Sequence, residues 1–232
     1  AAEGSGHRFT ADLGGDLRPL FRPEFHPFFG ESATLVAQGR SAEDGRLSLE
    51  AFKLRAQAMQ LDGMLELNAE RWPERFQLSG QIGTETRITR LPFGGQGARL
   101  NTARITAAYD AAQDDSWQAR MELDRFANAQ LRAATMRLAA TGRIDRTAAD
   151  AVTANIAFET GGVRLTDPAL AQAIGRTPGG TVRLSWQPGT PLDIAFLSLK
   201  SGDLSLTASG QIDELATGFP ITSTLMGLGA YP

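Results

Sequence analysis

Apolar and polar residues alternate one for one along much of the chain. Met59, Leu61, Gly63, Leu65 and Leu67 share one parity, and so do Phe76, Leu78, Gly80 and Ile82. The same holds for Trp117 to Leu123, Met136 to Ile144, Val152 to Phe158, Val182 to Trp186, and Leu204 to Ile212. A period of two is the signature of a strand with one apolar and one wet face. Turn-forming residues separate these runs: Asn68 to Pro73, Gly94-Gly95-Gln96-Gly97, Asp114-Asp115, Gly161-Gly162, Pro178-Gly179-Gly180 and Pro188-Gly189. More than half of all residues are therefore expected in strands, well above the usual share.

Helix is expected in two places at most. The segment from Asp16 to Gly30 is rich in Leu and Phe, but Pro19, Pro23 and Pro27 limit it to one or two turns. Asp167-Pro168 followed by Ala-Leu-Ala-Gln-Ala-Ile and Gly175 reads as a short capped helix.

A weak internal repeat runs through the strands. A small or polar residue, Gly, any residue and a large apolar residue recur at Asp62 to Leu65, Ser79 to Ile82, Thr141 to Ile144 and Ser209 to Ile212. Longer segments also resemble one another: Leu47 to Arg55 leads into Gly63, Met121 to Phe126 into Gly142, and Leu192 to Leu199 into Gly210. The spacing is irregular, so this is a degenerate array. A Gly on an apolar face marks a bulge or a close approach between sheet layers, or it leaves room for a guest chain.

Composition narrows the function. The 232 residues fit one or two domains. Lys+Arg number 23 against 26 Asp+Glu, for a net charge of −3, which argues against a nucleic-acid partner. Only Lys53 and Lys200 are lysines, too few for a polybasic membrane patch. There is no cysteine, which excludes disulfides and thiolate chemistry. No apolar run is long enough for a membrane-spanning helix. The chain reads as an internal piece of a longer protein, with a linker-like opening.

Candidate chemistry is sparse. His7 and His26 form no cluster with metal-ligand spacing. Gly94 to Gly97 lacks the Lys-Ser/Thr and helix of a phosphate cradle and reads as a turn. Asp114-Asp115 reads as a hairpin tip, since adjacent acids on a strand face opposite ways. Arg71-Trp72-Pro73 reads as a turn with an apolar lid. The arginines are scattered singly along polar faces, as on solvated sheets. No catalytic set, metal or cofactor is expected.

Several segments together resemble a family. They are the opening Leu17 to Gly30, the run Leu47 to Leu54, Trp72 to Gly80, the Leu91-Pro92-Phe93-Gly94-Gly95 loop, Ala103 to Asp110, and Asp167 to Leu170. Over most of residues 12–215 the chain is similar to an internal segment of the TamB proteins, the inner-membrane components of the translocation and assembly module, within the AsmA-like superfamily. The resemblance implies a mainly β fold: an elongated, curved, antiparallel-rich sheet forming a taco-like trough, with one or two short helices. It implies a periplasmic location, in a full-length protein anchored to the inner membrane. The implied work is transfer of phospholipid toward the outer membrane and support of outer-membrane protein assembly. The implied partners are phospholipid acyl chains and, through parts outside this chain, a TamA-like barrel of the Omp85 type.

On that reading residues 1–30 are linker and aromatic short-helix segment, 31–215 the repetitive sheet, and 216–232 a trailing strand or linker. The groove would be lined by Leu61, Leu65, Leu78, Ile82, Met121, Leu123, Leu138, Ile144, Ile156, Phe158, Leu184, Leu206 and Ile212. The same residues would equally make the core of a sandwich or barrel that binds nothing, serving as a scaffold that pairs with outer-membrane protein strands.

Overall fold

The computed structural model describes residues 6–146, 151–202 and 204–212; the 216–232 segment lies outside them. Strands make up 65 % of the described residues. They are β1 (Gly6–Gly15), β2 (Ala33–Ala42), β3 (Leu47–Ala56), β4 (Met59–Leu67), β5 (Pro73–Gly83), β6 (Thr89–Arg90), β7 (Arg99–Leu100) and β8 (Thr102–Asp110). There follow β9 (Ser116–Ala127), β10 (Leu131–Asp145), β11 (Ala151–Gly161), β12 (Arg164–Leu165), β13 (Gly179–Trp186), β14 (Leu192–Ser201) and β15 (Leu204–Ile212). All belong to one open, curved antiparallel sheet. Twelve strands form its main path, β1-β2-β3-β4-β5-β8-β9-β10-β11-β13-β14-β15. At about 4.8 Å per strand step the path is roughly 53 Å long.

The alternating runs all become strands at the expected places. The sheet also starts earlier than the pattern suggested. Gly6–Gly15, inside the segment read as linker, pairs with β2 along its whole length. Its three glycines and its polar residues hide the alternation of Phe9, Ala11 and Leu13.

The helical expectations hold. The aromatic segment folds into two 3-10 turns and one turn of α-helix, α1 (His26–Phe29), with a proline at the start of each. The second helix, α2 (Pro168–Ile174), has Pro168 at its first position. The Asp167 carboxylate accepts from the Leu170 N–H at 2.9 Å, and Gly175 closes the end at φ 69°. Asp167→Ala should cost about 1 kcal/mol. Amide exchange at Leu170 should rise while exchange in β10 stays unchanged.

The repeat becomes legible on the sheet. Three long connections, 16–32, 84–101 and 162–178, follow the first, fifth and ninth strands of the path. Each is followed by antiparallel strands joined by short turns: β2–β5, then β8–β11, then β13–β15. Four antiparallel strands bring a chain back to the end of the sheet it left. All three long connections therefore emerge at one end, the insertion rim. The opposite end, the turn rim, carries short links such as 43–46, 68–72, 111–115 and 187–191. Gly63, Gly142 and Gly210 sit on the third strand of the three units in turn. The strand before two of them, β3 or β14, carries a bulge at Glu50-Ala51 or Ala195-Phe196. Gly80 lies outside this period, which is why the spacing in sequence looked irregular.

At the turn rim, Arg71 takes φ 68° and the Asn68 side chain accepts from the Trp72 N–H at 2.8 Å. Pro73 then opens β5, the strand position that tolerates a missing N–H.

The buried core is small and lies at the insertion rim. Phe28, Phe29, Ala58, Leu91, Ala98, Leu100 and Ala103 form it, so α1 and the 84–101 connection meet in one plug. Backbone bonds from Gln57 and Ala58 to the carbonyls of Phe29 and Phe28 fasten α1 to the β3–β4 turn. Arg125, at φ 50°, breaks the alternation of β9, so Phe126 joins Leu123 against the plug.

Candidate functional site

The apolar side chains of successive strands fall into register across the whole sheet. One row runs Leu13, Leu35, Leu54, Leu61, Gly80, Ile105, Met121, Leu138, Phe158, Gly180, Leu199 and Leu206, each directly opposite the next. Beside it runs Ala11, Ala37, Phe52, Gly63, Leu78, Ala107, Ala119, Ala140, Ile156, Val182, Leu197 and Ala208. A third passes from Phe9 and Gly39 through Leu49, Leu65, Phe76, Tyr109, Trp117, Gly142, Ala154, Leu184 and Ile194 to Gly210. No charged residue interrupts any of the three. The rows lie across the strands, along the length of the sheet.

Gly39, Gly63, Gly142 and Gly180 leave no room in these rows. A Cβ on Gly63 would come within 2.8 Å of the Phe52 ring, and one on Gly39 within 2.9 Å of Phe9. Phe158 covers Gly180 in the same way. Trp117, on β9, lies over Gly142 of β10 and reaches the Thr153 carbonyl of β11, to which its indole N–H donates at 3.1 Å. The space a guest chain could have used is filled by an aromatic ring from the neighbouring strand. The floor is thereby levelled and the register pinned.

Nine of the thirteen sequence-derived lining residues lie on the three rows. Leu61, Met121, Leu138, Phe158 and Leu206 share the first row, Leu78 and Ile156 the second, and Leu65 and Leu184 the third. All nine are half-buried. The other four sit apart. Ile82 and Leu123 pack under the plug. Ile144 and Ile212, 5 % and 7 % exposed, are buried toward the turn rim. The sequence reading omitted Leu35, Ile105 and Leu199 from the first row, and Tyr109 and Trp117 from the third. Small or bulky neighbours obscured their parity: Ala103, Ala107 and Ala108 surround Ile105, and the β14 bulge shifts Leu199 out of phase with Ile194.

A sheet that is apolar on one face ordinarily buries it against a second layer. Here no second sheet or long helix covers the rows among the described residues; only the plug touches the face, over Met59, Ile82 and Leu123. The sandwich and barrel readings therefore fail, because the sheet is a single open layer.

The opposite face is polar and charge-matched. Arg104, Glu122, Arg137 and Glu159 face one another in turn on β8 to β11. Alternating charges stabilise a ladder and resist register slips. Arg55–Asp62 (2.7 Å) and Arg40–Glu50 (2.8 Å) add cross-strand pairs.

At the turn rim Tyr109 is 3 % exposed, and burial raises its pKa above the usual phenol value. Its hydroxyl has no hydrogen-bond partner. Nearby, hydrogen bonds from the Ser116 side chain and N–H hold the Asp114 carboxyl below its usual value. A depression of about 530 Å³ lies here, with Arg75, Asp110, Asp114 and Gln118 among its polar walls.

No group of three or more His, Asp or Glu side chains among the described residues could hold a metal ion. No described helix is long and apolar enough to cross a membrane. The chain matches no protein-family model, no curated protein and no solved structure.

Proposed function

We propose that this chain is a non-catalytic lipid conduit, a sheet whose uncovered apolar face carries phospholipid acyl chains. The observation that carries this reading is the set of three unbroken apolar rows spanning twelve strands, with no layer above them among the described residues. Each methylene laid on such a surface gains up to about 0.8 kcal/mol by leaving water. Leu, Ile, Val, Ala and levelled Gly positions offer similar contacts at every strand step, about 4.8 Å apart. Uniform weak contacts favour sliding, where a deep pocket would trap.

The resemblance to TamB proteins supplies the setting we propose: the periplasm, with phospholipid moving toward the outer membrane and a TamA-like Omp85-type barrel as partner of the full-length protein. A scaffold role in outer-membrane protein assembly draws on a separate observation. Among the described residues, β1 and β15 each pair on one side only, so a further strand can add to either edge.

The test is native mass spectrometry and lipid extraction on gently purified protein. Phospholipid should co-purify with the wild type. Leu206→Asp, on the first apolar row, should lose it, while Ser205→Asp, on the polar face, should keep it. A lipid-free wild-type protein with an intact β spectrum would sink the conduit and leave the edge-pairing scaffold.

A further inference from the structure

The arginines, scattered in sequence, are aligned by the ladder at the insertion rim. Arg90 faces Arg99, Arg99 faces Ala127, Ala127 faces Arg132, and Arg132 faces Arg164. Four arginines thus occupy five consecutive positions of one cross-strand row on β6, β7, β9, β10 and β12. Like charges directly opposite destabilise a sheet. Elsewhere such a pairing occurs where Arg8 faces Arg40, whose charge Glu50 meets, while Arg75 has Asp110, Arg46 has Asp44, and Arg143 and Arg146 share Asp115. In the arginine row only Arg90 has a carboxylate, that of exposed Glu24 at 3.6 Å. Arg99, Arg132 and Arg164 have no ion pair among the described residues.

A second feature shares this rim. Of the seven large apolar side chains left exposed among the described residues, Leu13 and Val36 lie on β1 and β2, and Leu20, Phe21, Ile88, Phe93 and Leu170 sit on the three insertions. Leu20, Ile88 and Leu170 are 76 %, 61 % and 53 % exposed, Leu20 and Leu170 on short helices and Ile88 just before β6. The first two insertions meet in the plug, where Phe21 stacks on Phe29 and Phe28 meets Phe93 edge-on, and Leu170 lies on the third insertion.

We propose that the insertion rim docks on the surface of an anionic bilayer. Arg99, Arg132 and Arg164 would meet lipid phosphates, which guanidinium groups bind in a two-pronged fashion. The apolar tips would enter the headgroup region, the arrangement of peripheral membrane proteins. Exposed apolar side chains beside a row of arginines match a surface that sets anionic headgroups over acyl chains. A nucleic acid would use the arginines but leave Ile88 and Leu170 in water. The proposal concerns the rim alone and stands whether or not the apolar face carries lipid. If both hold, the rim that meets the bilayer is one over which a lipid can pass onto the rows.

Co-sedimentation with vesicles tests it. The 232-residue chain is mixed with vesicles of phosphatidylcholine alone, or of phosphatidylcholine with phosphatidylglycerol, at low and high salt. The wild type should pellet with the anionic vesicles and be released by salt. Each arginine near such a surface is worth about fivefold in binding. The Arg99→Glu/Arg132→Glu/Arg164→Glu variant should therefore bind at least roughly a hundredfold more weakly. Ile88→Ser/Leu170→Ser should also bind more weakly, with the β spectrum and co-purified lipid of both variants unchanged. A wild type that stays in the supernatant overturns the proposal, as does a triple variant that pellets equally. A salt-sensitive dimer in solution that the triple variant dissolves, without vesicle binding, would assign the rim to a second copy instead.

Discussion

Leu138→Asp should slow lipid transfer along the sheet by about a hundredfold while leaving the sheet folded. Leu138 stands mid-sheet in the first apolar row, between Met121 and Phe158. It is half-buried on an uncovered face, so a carboxylate there keeps contact with water in the empty protein. The folding cost is limited to part of the roughly 2 kcal/mol of a buried leucine. An acyl chain lying over it would strip that water, and burying an unpaired polar group costs about 2–7 kcal/mol. A penalty near 3 kcal/mol corresponds to about a hundredfold in rate. Ala139→Asp is the matched control. Ala139 is exposed on the other face, opposite Arg120, where an added carboxylate is neutral or helpful. Transfer of fluorescent phospholipid between vesicles measures the effect, with circular dichroism checking the fold. Equal transfer by Leu138→Asp and the wild type would remove the apolar rows from the path.

Gly142→Ala should be among the most destabilising single-methyl additions in the chain. The new Cβ would collide with the Thr153 carbonyl oxygen and lie 2.5 Å from Trp117 Nε1. Backbone and indole must both move, and the Trp117–Thr153 hydrogen bond that spans β10 is lost. Overpacking and the lost bond together amount to about 2–4 kcal/mol. For a chain of this size that lowers Tm by roughly 6–10 °C. Gly15→Ala, where nothing lies within 4 Å, should change Tm little. In a Trp117→Ala background the Gly142→Ala penalty should shrink, because the two residues share one contact. An unchanged penalty would mean that the β10 backbone alone sets the cost.

Much of the fold was legible because strand periodicity is a local property. Each alternating run from Met59 to Ile212 became a strand, and Asp167, Pro168 and Gly175 marked α2 with their own backbone chemistry. β1 was missed because its glycines and polar residues dilute the apolar parity. The candidate site was legible only in part. Parity placed nine of thirteen residues on the open rows. It could not show that the plug covers Ile82 and Leu123, since α1 reaches both from far along the chain.

Register was beyond the sequence altogether. Nothing local tells Phe52 to face Gly63, Trp117 to cover Gly142, or Arg132 to face Arg164. Those pairings depend on bulges in β3 and β14, on the phase break at Arg125, and on how many strands separate the insertions. The sequence by itself determined a sheet with one apolar and one polar face, two short helical segments, and no thiol chemistry, because these follow from side-chain alternation, backbone caps and composition. The tertiary structure alone decided that the sheet is a single open layer among the described residues, that its apolar residues join into continuous rows, and that Arg90, Arg99, Arg132 and Arg164 meet at one rim. Those outcomes are set by hydrogen-bond register passed from strand to strand, between partners as far apart as Gly6 and Ala42, an alignment on which local sequence is silent.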